Sequence, residues 1–361
     1  MRPSSVYNDN TVLISFRVDA NHVGQRLDRF LKDHYRRRSR ERLKETITSG
    51  MITLVRGQGP HLSVGRIKAS TLLIEGDVVQ IESERRAEPQ VRLDYKILHE
   101  DQGFFVVDKP APLPVHPSGS YFFNTLLTHL KTGGYTKPLA MDEDYFLVHR
   151  IDKETSGLLI VAKNSETCTN FVNQFARRTT QKTYLAIVHG RPFRKTFSVD
   201  EPIGRDKDGP IGLRMIAAKG SHLAPEDIWD AVTDFELVET RADARGRLFS
   251  LVKCFPKTGR QHQIRIHLKL AGFPIVGDKL YSLEMNDSLK FFPVVRFGHS
   301  RTAETLSLRF IPPELSEKLI LDRHALHASE LVCSHPTTGK DLHFRSELSA
   351  DLREFWEGLR S

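Results

Sequence analysis

The sequence predicts an α+β protein: a large domain on a mixed, mainly antiparallel sheet, preceded by a small α/β domain. Three observations predict it. Strand-like runs at 104–107, 158–162, 183–188, 248–254 and 305–310 alternate with helical stretches at 124–131, 165–178 and 260–271. They do so without the regular strand–helix rhythm of a doubly wound sheet. Charge is also unevenly spread: the 361-residue chain has a formal net charge of +8, yet Arg26 to Arg56 alone holds ten Lys/Arg against four Asp/Glu. Such a concentration is the footprint of a grip on a polyanion rather than of general solubility. Finally, residues 85–93 are polar and contain Pro89, which reads as a linker between 13–84 and 94–361.

Taken in order, residues 1–12 read as a flexible tail and 13–18 as a leading strand. From Gln25 the period turns helical, with Leu27, Phe30 and Leu31 on one face and Arg26, Arg29 and Lys32 beside them. Ser39 is placed to cap a second helix whose Leu43 and Ile47 face inward and which Gly50 ends. Arg29, Arg36, Arg37 and Arg40 are the candidate phosphate contacts of this region. Short strands follow at 52–55 and 76–81. In the larger domain the polar stretch from Gly204 to Asp227 reads as a mobile flap.

Composition narrows the functional classes. Cys168, Cys254 and Cys333 stand about eighty residues apart with no CxxC pair, which argues against a disulfide framework or a zinc site. No apolar run approaches the length of a membrane span, and the first ten residues lack the apolar core of a secretory signal. A cytoplasmic monomer with no metal and no small-molecule cofactor is therefore the expectation.

The densest chemistry lies at 149–163, His-Arg-Ile-Asp-Lys-Glu-Thr-Ser-Gly-Leu-Leu-Ile-Val-Ala-Lys. A single carboxylate, Asp152, stands between Arg150 and Lys153, and Thr155-Ser156-Gly157 leads into an apolar strand. A carboxylate at the lip of a strand is rigidly held, and its cationic neighbours can grip phosphate. At 182–188 the pattern alternates, placing Lys182, Tyr184 and Ala186 on one face. An aromatic ring beside a carboxylate can stack on an extruded base. The third run, 258–268, reads as a helix of about three turns with Thr258 as N-cap and Gly272 at its end. His262, Arg265 and Lys269 then share one polar arc, and His262 and His267 diverge too far to form a zinc pair. Arg260 and His262 join Arg150 and Lys153 as candidate contacts to a phosphate-bearing polyanion. Asp108-Lys109-Pro110 with the prolines at 114 and 117 forms a stiffened stretch, and His116 is assigned no catalytic role.

These runs closely resemble the signatures of the RluA family of RNA pseudouridine synthases, over roughly 24–82 and 94–347. The resemblance implies that Asp152 is catalytic, that Tyr184 contacts a flipped uracil, and that Arg265 holds the aspartate through a bidentate pair. It further implies that the basic N-terminal region is an S4-like RNA-binding domain, and that 108–117 shapes the floor of the active site. The motifs at 272–278 and 326–339 look architectural, with Asp278 a structural acid. Ile151 replaces the family's usual leucine, a mild departure. The expected partner is structured RNA, ribosomal or transfer. The competing readings are a catalytically silent RNA-binding or ribosome-assembly protein on the same fold, and a retaining glycoside hydrolase, which needs a second carboxylate in a strong motif.

Overall fold

A computed structural model describes residues 4–7, 11–35, 39–56, 63–64, 67–84, 88–132, 144–211, 214–283 and 317–360. The chain divides into two compact units, Met1–Ala87 and Glu88–Ser361.

The first unit contains β1 (Ser4–Tyr7), β2 (Thr11–Arg17), α1 (Leu27–His34), α2 (Arg40–Thr48), β3 (Ile52–Arg56), β4 (Ser63–Val64) and β5 (Val78–Glu84). Its sheet runs β1-β2-β5-β3-β4, antiparallel throughout. Residues 4–7 thus pair with β2 where the composition predicts a flexible tail: backbone hydrogen bonding to a strand edge does not require an apolar sequence. The apolar face read from the helical period is the one buried, with Leu27, Phe30, Leu31, Leu43 and Ile47 packed on Phe16, Ile52, Leu54 and Val79. Ser39 caps α2 by accepting from Arg42 N at 3.3 Å, and Gly50 follows it at φ 80°. Arg29 is exposed on α1; Arg36, Arg37 and the side chain of Arg40 lie outside the described residues.

The second unit begins with β6 (Lys96–Glu100), β7 (Phe104–Lys109), α3 (Leu126–Lys131), β8 (Phe146–Leu147), β9 (Ser156–Ala162), α4 (Ser165–Ala176) and β10 (Gln181–His189). Next come β11 (Thr196–Asp200), β12 (Ile203–Arg205), β13 (Met215–Ala217), β14 (Ile228–Trp229), β15 (Val232–Ala242) and β16 (Leu248–Pro256). It closes with α5 (Gln263–Leu270), β17 (Leu326–Ser334), β18 (Asp341–Arg345) and α6 (Ala350–Glu357). Its main sheet runs β11-β15-β16-β10-β17-β9-β7-β6, with β18 beside β17 and β8 beside β9. All these pairings are antiparallel except β9 with β17.

That parallel pairing matters for the site. Ser156 and Gly157 lie opposite His327 and Ala328, and a Cβ on Gly157 would sit 2.2 Å from the Ala328 carbonyl oxygen. Gly157, at φ 104°, is therefore the residue that lets β17 close against the start of β9. The strand itself is buried along its whole length, as its unbroken apolar run requires of a central strand.

One sequence expectation changes here. The stretch 204–227, read as a polar flap, is not loop throughout: β12 and β13 form a small antiparallel sheet with β14 just beyond it, and Ile203, Ile211 and Met215 are buried. Turn-forming polar residues masked these short strands. The boundary between the two units falls inside the stretch 85–93 read as a linker, and residues 88–93 belong to the second unit. The Glu88 carboxylate accepts from the backbone N–H groups of Phe123 and Asn124, and Asn124 donates to the Pro89 carbonyl. The strand-like run at 305–310 lies outside the described residues.

Candidate active site

Asp152 stands just before β9, on a loop held from three sides. From below, Lys109 is fully buried and its ammonium donates to the carbonyls of Pro110, Leu113 and Lys153, at 2.9, 2.9 and 3.1 Å. The stiffened stretch after β7 is thereby tied to the residue following the aspartate. From behind, Arg323 donates to the Glu154 carbonyl at 2.9 Å, to Ser156 Oγ at 3.2 Å and, through a two-pronged pair, to Asp351 of α6. Laterally, Lys279 pairs with Glu154 at 2.7 Å, and Thr155 Oγ1 bonds His324 Nε2 at 2.8 Å. A loop with its carbonyls, hydroxyls and carboxylate all engaged has little freedom to displace Asp152.

The carboxylate itself is 24% exposed and meets Arg265, whose Nη1 donates to Asp152 Oδ2 at 2.8 Å. The bidentate pairing expected between them goes elsewhere. Arg265 gives Nε and Nη2 to Asp278, at 2.7 and 2.8 Å, and only its third donor to Asp152. Asp278 is fully buried and also accepts from the backbone of Leu280 and Tyr281. It is an integral part of the site, which the sequence does not reveal because it is a lone acid in an apolar turn. The face of Tyr281 lies against the same guanidinium, 5.2 Å from centroid to charge.

This arrangement sets the protonation states. Burial by itself would raise the Asp152 carboxyl; the charges around it, with the Arg265 hydrogen bond and the more distant Arg150, overcome this and hold it below the ordinary carboxylate value. His262 Nε2 lies 3.8 Å from Asp152 Oδ2. Burial and the Arg265 charge push its imidazole down to about 4, so it is neutral at neutral pH and Arg265 is the cation that keeps Asp152 ionised. Burial, then the Asp152 charge, drive the Tyr184 phenol well above its usual value, so it stays protonated.

The helix that carries Arg265 is shorter than its sequence suggests. It runs Gln263–Leu270, and His262 precedes it in a left-handed conformation at φ 54°. Thr258 is not its cap: its hydroxyl donates to Gln263 Oε1 at 2.7 Å, and the same oxygen accepts from Arg260 N at 3.0 Å. Gln263 Nε2 in turn donates to Val232 O and Thr233 Oγ1. Gln263 therefore shapes the 258–262 loop, a role its amide supplies by offering donors and acceptor together. Nor does the helix have a solvated polar arc. Gln263 to His267 are all buried, and Arg265 is tolerated there because both its neighbours are carboxylates.

A cleft of about 100 Å³ opens in front of Asp152, lined among others by Arg150, Lys182, Tyr184, Arg260, His262 and Arg265. Lys182 and Tyr184 share the face of β10 that the alternation predicts, and among the described residues the Tyr184 hydroxyl makes no hydrogen bond. Arg150 is exposed at the rim, and Arg260 donates to the Asp230 carbonyl at 3.1 Å. Lys182, placed on that face of β10 but given no role by the sequence, donates to the Thr258 carbonyl at 3.2 Å, and burial, then Arg178, bring its ammonium down to about 8. Lys153 does not line the cleft; its ammonium sits 5.1 Å over the Tyr121 ring. His267 spends both ring nitrogens on Thr233 Oγ1 and the Glu201 carbonyl.

The family model described as RNA pseudouridylate synthase matches residues 103–270, the stretch that contains Asp152, Tyr184 and Arg265. An uncharacterized RNA pseudouridine synthase of Bacillus subtilis, YlyB, is 32% identical, over 96% of this chain and 98% of its own. The ribosomal large subunit pseudouridine synthase D of Escherichia coli K12 is 31% identical, over 97% of this chain and 95% of its own. Among solved structures, human RNA pseudouridylate synthase domain containing 4 superposes with a TM-score of 0.51 at 26% identity, covering 73% of this chain and 94% of that one. With likeness of this extent joined to a buried-arginine carboxylate site, the chain belongs to the RluA-type RNA pseudouridine synthases, isomerases that convert uridine in RNA to pseudouridine.

Proposed function

We propose that Asp152 is the residue that attacks the target uridine, in folded ribosomal RNA of the large subunit, and that Arg265 and Tyr184 complete the catalytic set. The observation that carries this reading is the single Arg265–Asp152 bond at 2.8 Å. It leaves the carboxylate ionised, aimed and still open to the cleft. The isomerisation breaks the N1–C1′ bond, turns the base and joins C5 to C1′, with no net redox change. A base must leave its stack to reach a carboxylate so placed, at a cost of about a few kcal/mol. Arg150, exposed at the rim, fills the vacated space and holds phosphate, with Arg260, Lys182 and the neutral His262 along the wall. Asp152 then acts at C1′ as a nucleophile or removes a proton from C2′; both routes need the same ionised carboxylate. Tyr184 holds the base by stacking and by donating from its protonated hydroxyl.

Support for a ribosomal substrate comes from the relatives named for the large ribosomal subunit. For the first unit we favour an S4-like RNA grip, on the strength of the Lys/Arg excess between Arg26 and Arg56 and of two helices beside an antiparallel sheet. The protein acts as a cytoplasmic monomer in this reading.

The test is pseudouridine mapping of large-subunit RNA with the wild type and Asp152→Asn. The variant should form no pseudouridine and bind RNA within a few fold of the wild type; measurable turnover would refute the assignment. A chain lacking residues 1–87 should bind RNA more weakly and with a flatter salt dependence. Unchanged binding would remove the S4-like reading.

A further inference from the structure

We infer that the turn after β10 carries a second RNA contact, a stacking platform for an unpaired base, remote from the cleft of Asp152. Phe193 in this turn is 98% exposed, although β10 and β11 on either side are regular strands. Among the described residues its only ring neighbour is Phe273, edge-on at 6.1 Å, and the 98% exposure leaves the ring open to solvent. Phe193 is not a lone surface side chain: Val238 and Leu248, also exposed, line the same groove, so the ring belongs to a shared apolar patch of the kind that marks an interaction site.

The surroundings indicate which ligand. Arg191, Arg194 and Lys195 are all exposed, and none has a carboxylate partner among the described residues. Together with Phe193 they border a groove of about 1010 Å³ whose far wall is the 237–242 stretch of β15. Among the described residues the one carboxylate lining that groove, Glu239, is already paired with Arg241, at 2.8 and 3.2 Å. Three unpaired cations around an open aromatic ring match a phosphate backbone with a base stacked between its charges. A second copy of the chain fits poorly, since a two-fold contact would bring the same cations face to face.

Position makes the contact additional rather than part of the active site. His189 lies five steps along β10 from Tyr184, which at about 3.3 Å per residue carries the chain roughly 17 Å from that cleft residue. RNA reaching both must be longer than the nucleotides around the target. This inference rests on RNA as the substrate class, and deepens it: the enzyme favours a substrate with a single-stranded segment beside the target element.

The experiment compares wild type, Phe193→Ser, Phe193→Trp and the triple variant Arg191→Ala/Arg194→Ala/Lys195→Ala. Two probes are used: in vitro transcribed large-subunit ribosomal RNA, and oligouridine. Phe193→Ser should weaken binding of both by roughly five- to a hundredfold, the range for loss of one stacked base. Its KM for the ribosomal RNA should rise with kcat unchanged, and Phe193→Trp should restore both. The triple variant should lower the slope of log affinity against log salt by about two, at roughly 0.7 per phosphate contact on a single strand. Wild-type affinity of Phe193→Ser at every salt concentration would overturn the inference. So would a change in its oligomeric state with RNA binding intact, which would assign the turn to a second copy, or a fall in kcat, which would mean the cleft was disturbed. If the wild type forms no pseudouridine in this RNA, the proposed substrate falls, while the oligouridine comparison still decides the groove.

Discussion

Asp278 takes the two-pronged grip of Arg265 and leaves Asp152 a single hydrogen bond from Nη1. The consequence is a division of labour between two carboxylates. Asp278, fully buried, fixes the plane and charge of the guanidinium; Asp152, a quarter exposed, keeps one oxygen free for chemistry. A bidentate pair with Asp152 would have satisfied both of its oxygens and dulled it.

This relationship makes Asp278 the first target. Asp278→Asn removes the charge that balances a buried guanidinium, and breaking such a pair costs about 3–5 kcal/mol. Arg265 should then swing toward Asp152, so kcat should fall in the fraction that remains folded. Arg265→Lys keeps the charge but cannot reach two carboxylates in fixed directions, and kcat should fall by about a hundredfold with little change in RNA affinity. Thermal unfolding and single-turnover kinetics together decide the matter. Wild-type stability in Asp278→Asn would mean the buried pair carries no load.

Tyr184 separates stacking from proton chemistry. Its phenol is held protonated by burial and by Asp152, so it is not a phenolate base. Tyr184→Phe keeps the ring and should retain base binding, losing only what the hydroxyl donor supplies. Tyr184→Leu loses the ring and should cost about 1–3 kcal/mol in binding a flipped base. A fluorescent base analogue at the target position reads the extrusion directly. Equal extrusion by Tyr184→Leu and wild type would dismiss the stacking role.

Lys182 predicts a pH limit. Its value of about 8 means that the ammonium is charged below that pH and neutral above it, so phosphate attraction is present on the acid side and lost as pH rises through about 8. Asp152, held below the ordinary carboxylate value, stays ionised through neutral pH and sets no limit there. The profile of kcat/KM, which reports the free enzyme, should therefore decline above about pH 8. Lys182→Arg should abolish that decline. An unchanged alkaline limb in Lys182→Arg would assign it to another group.

Much of this protein is decided locally and so is legible in the chain itself. The period of Leu27, Phe30 and Leu31, the alternation along 182–188 and the apolar run of β9 each report a burial pattern that follows from residue order. Asp152, Tyr184 and Arg265 could be named because their local runs are distinctive, and the fold brings all three to one cleft. What only the tertiary structure decided is partnership. Nothing near Arg265 in sequence says that its paired donors go to Asp278, thirteen residues on, or that one is left for Asp152, 113 residues back. Likewise Gln263 replaces Thr258 as the organiser of its loop, and Arg323 braces Glu154 from 169 residues away. Hydrophobic periodicity is a property of neighbours along a helix or strand, whereas a buried charge takes whichever opposite charge the packed core delivers to it.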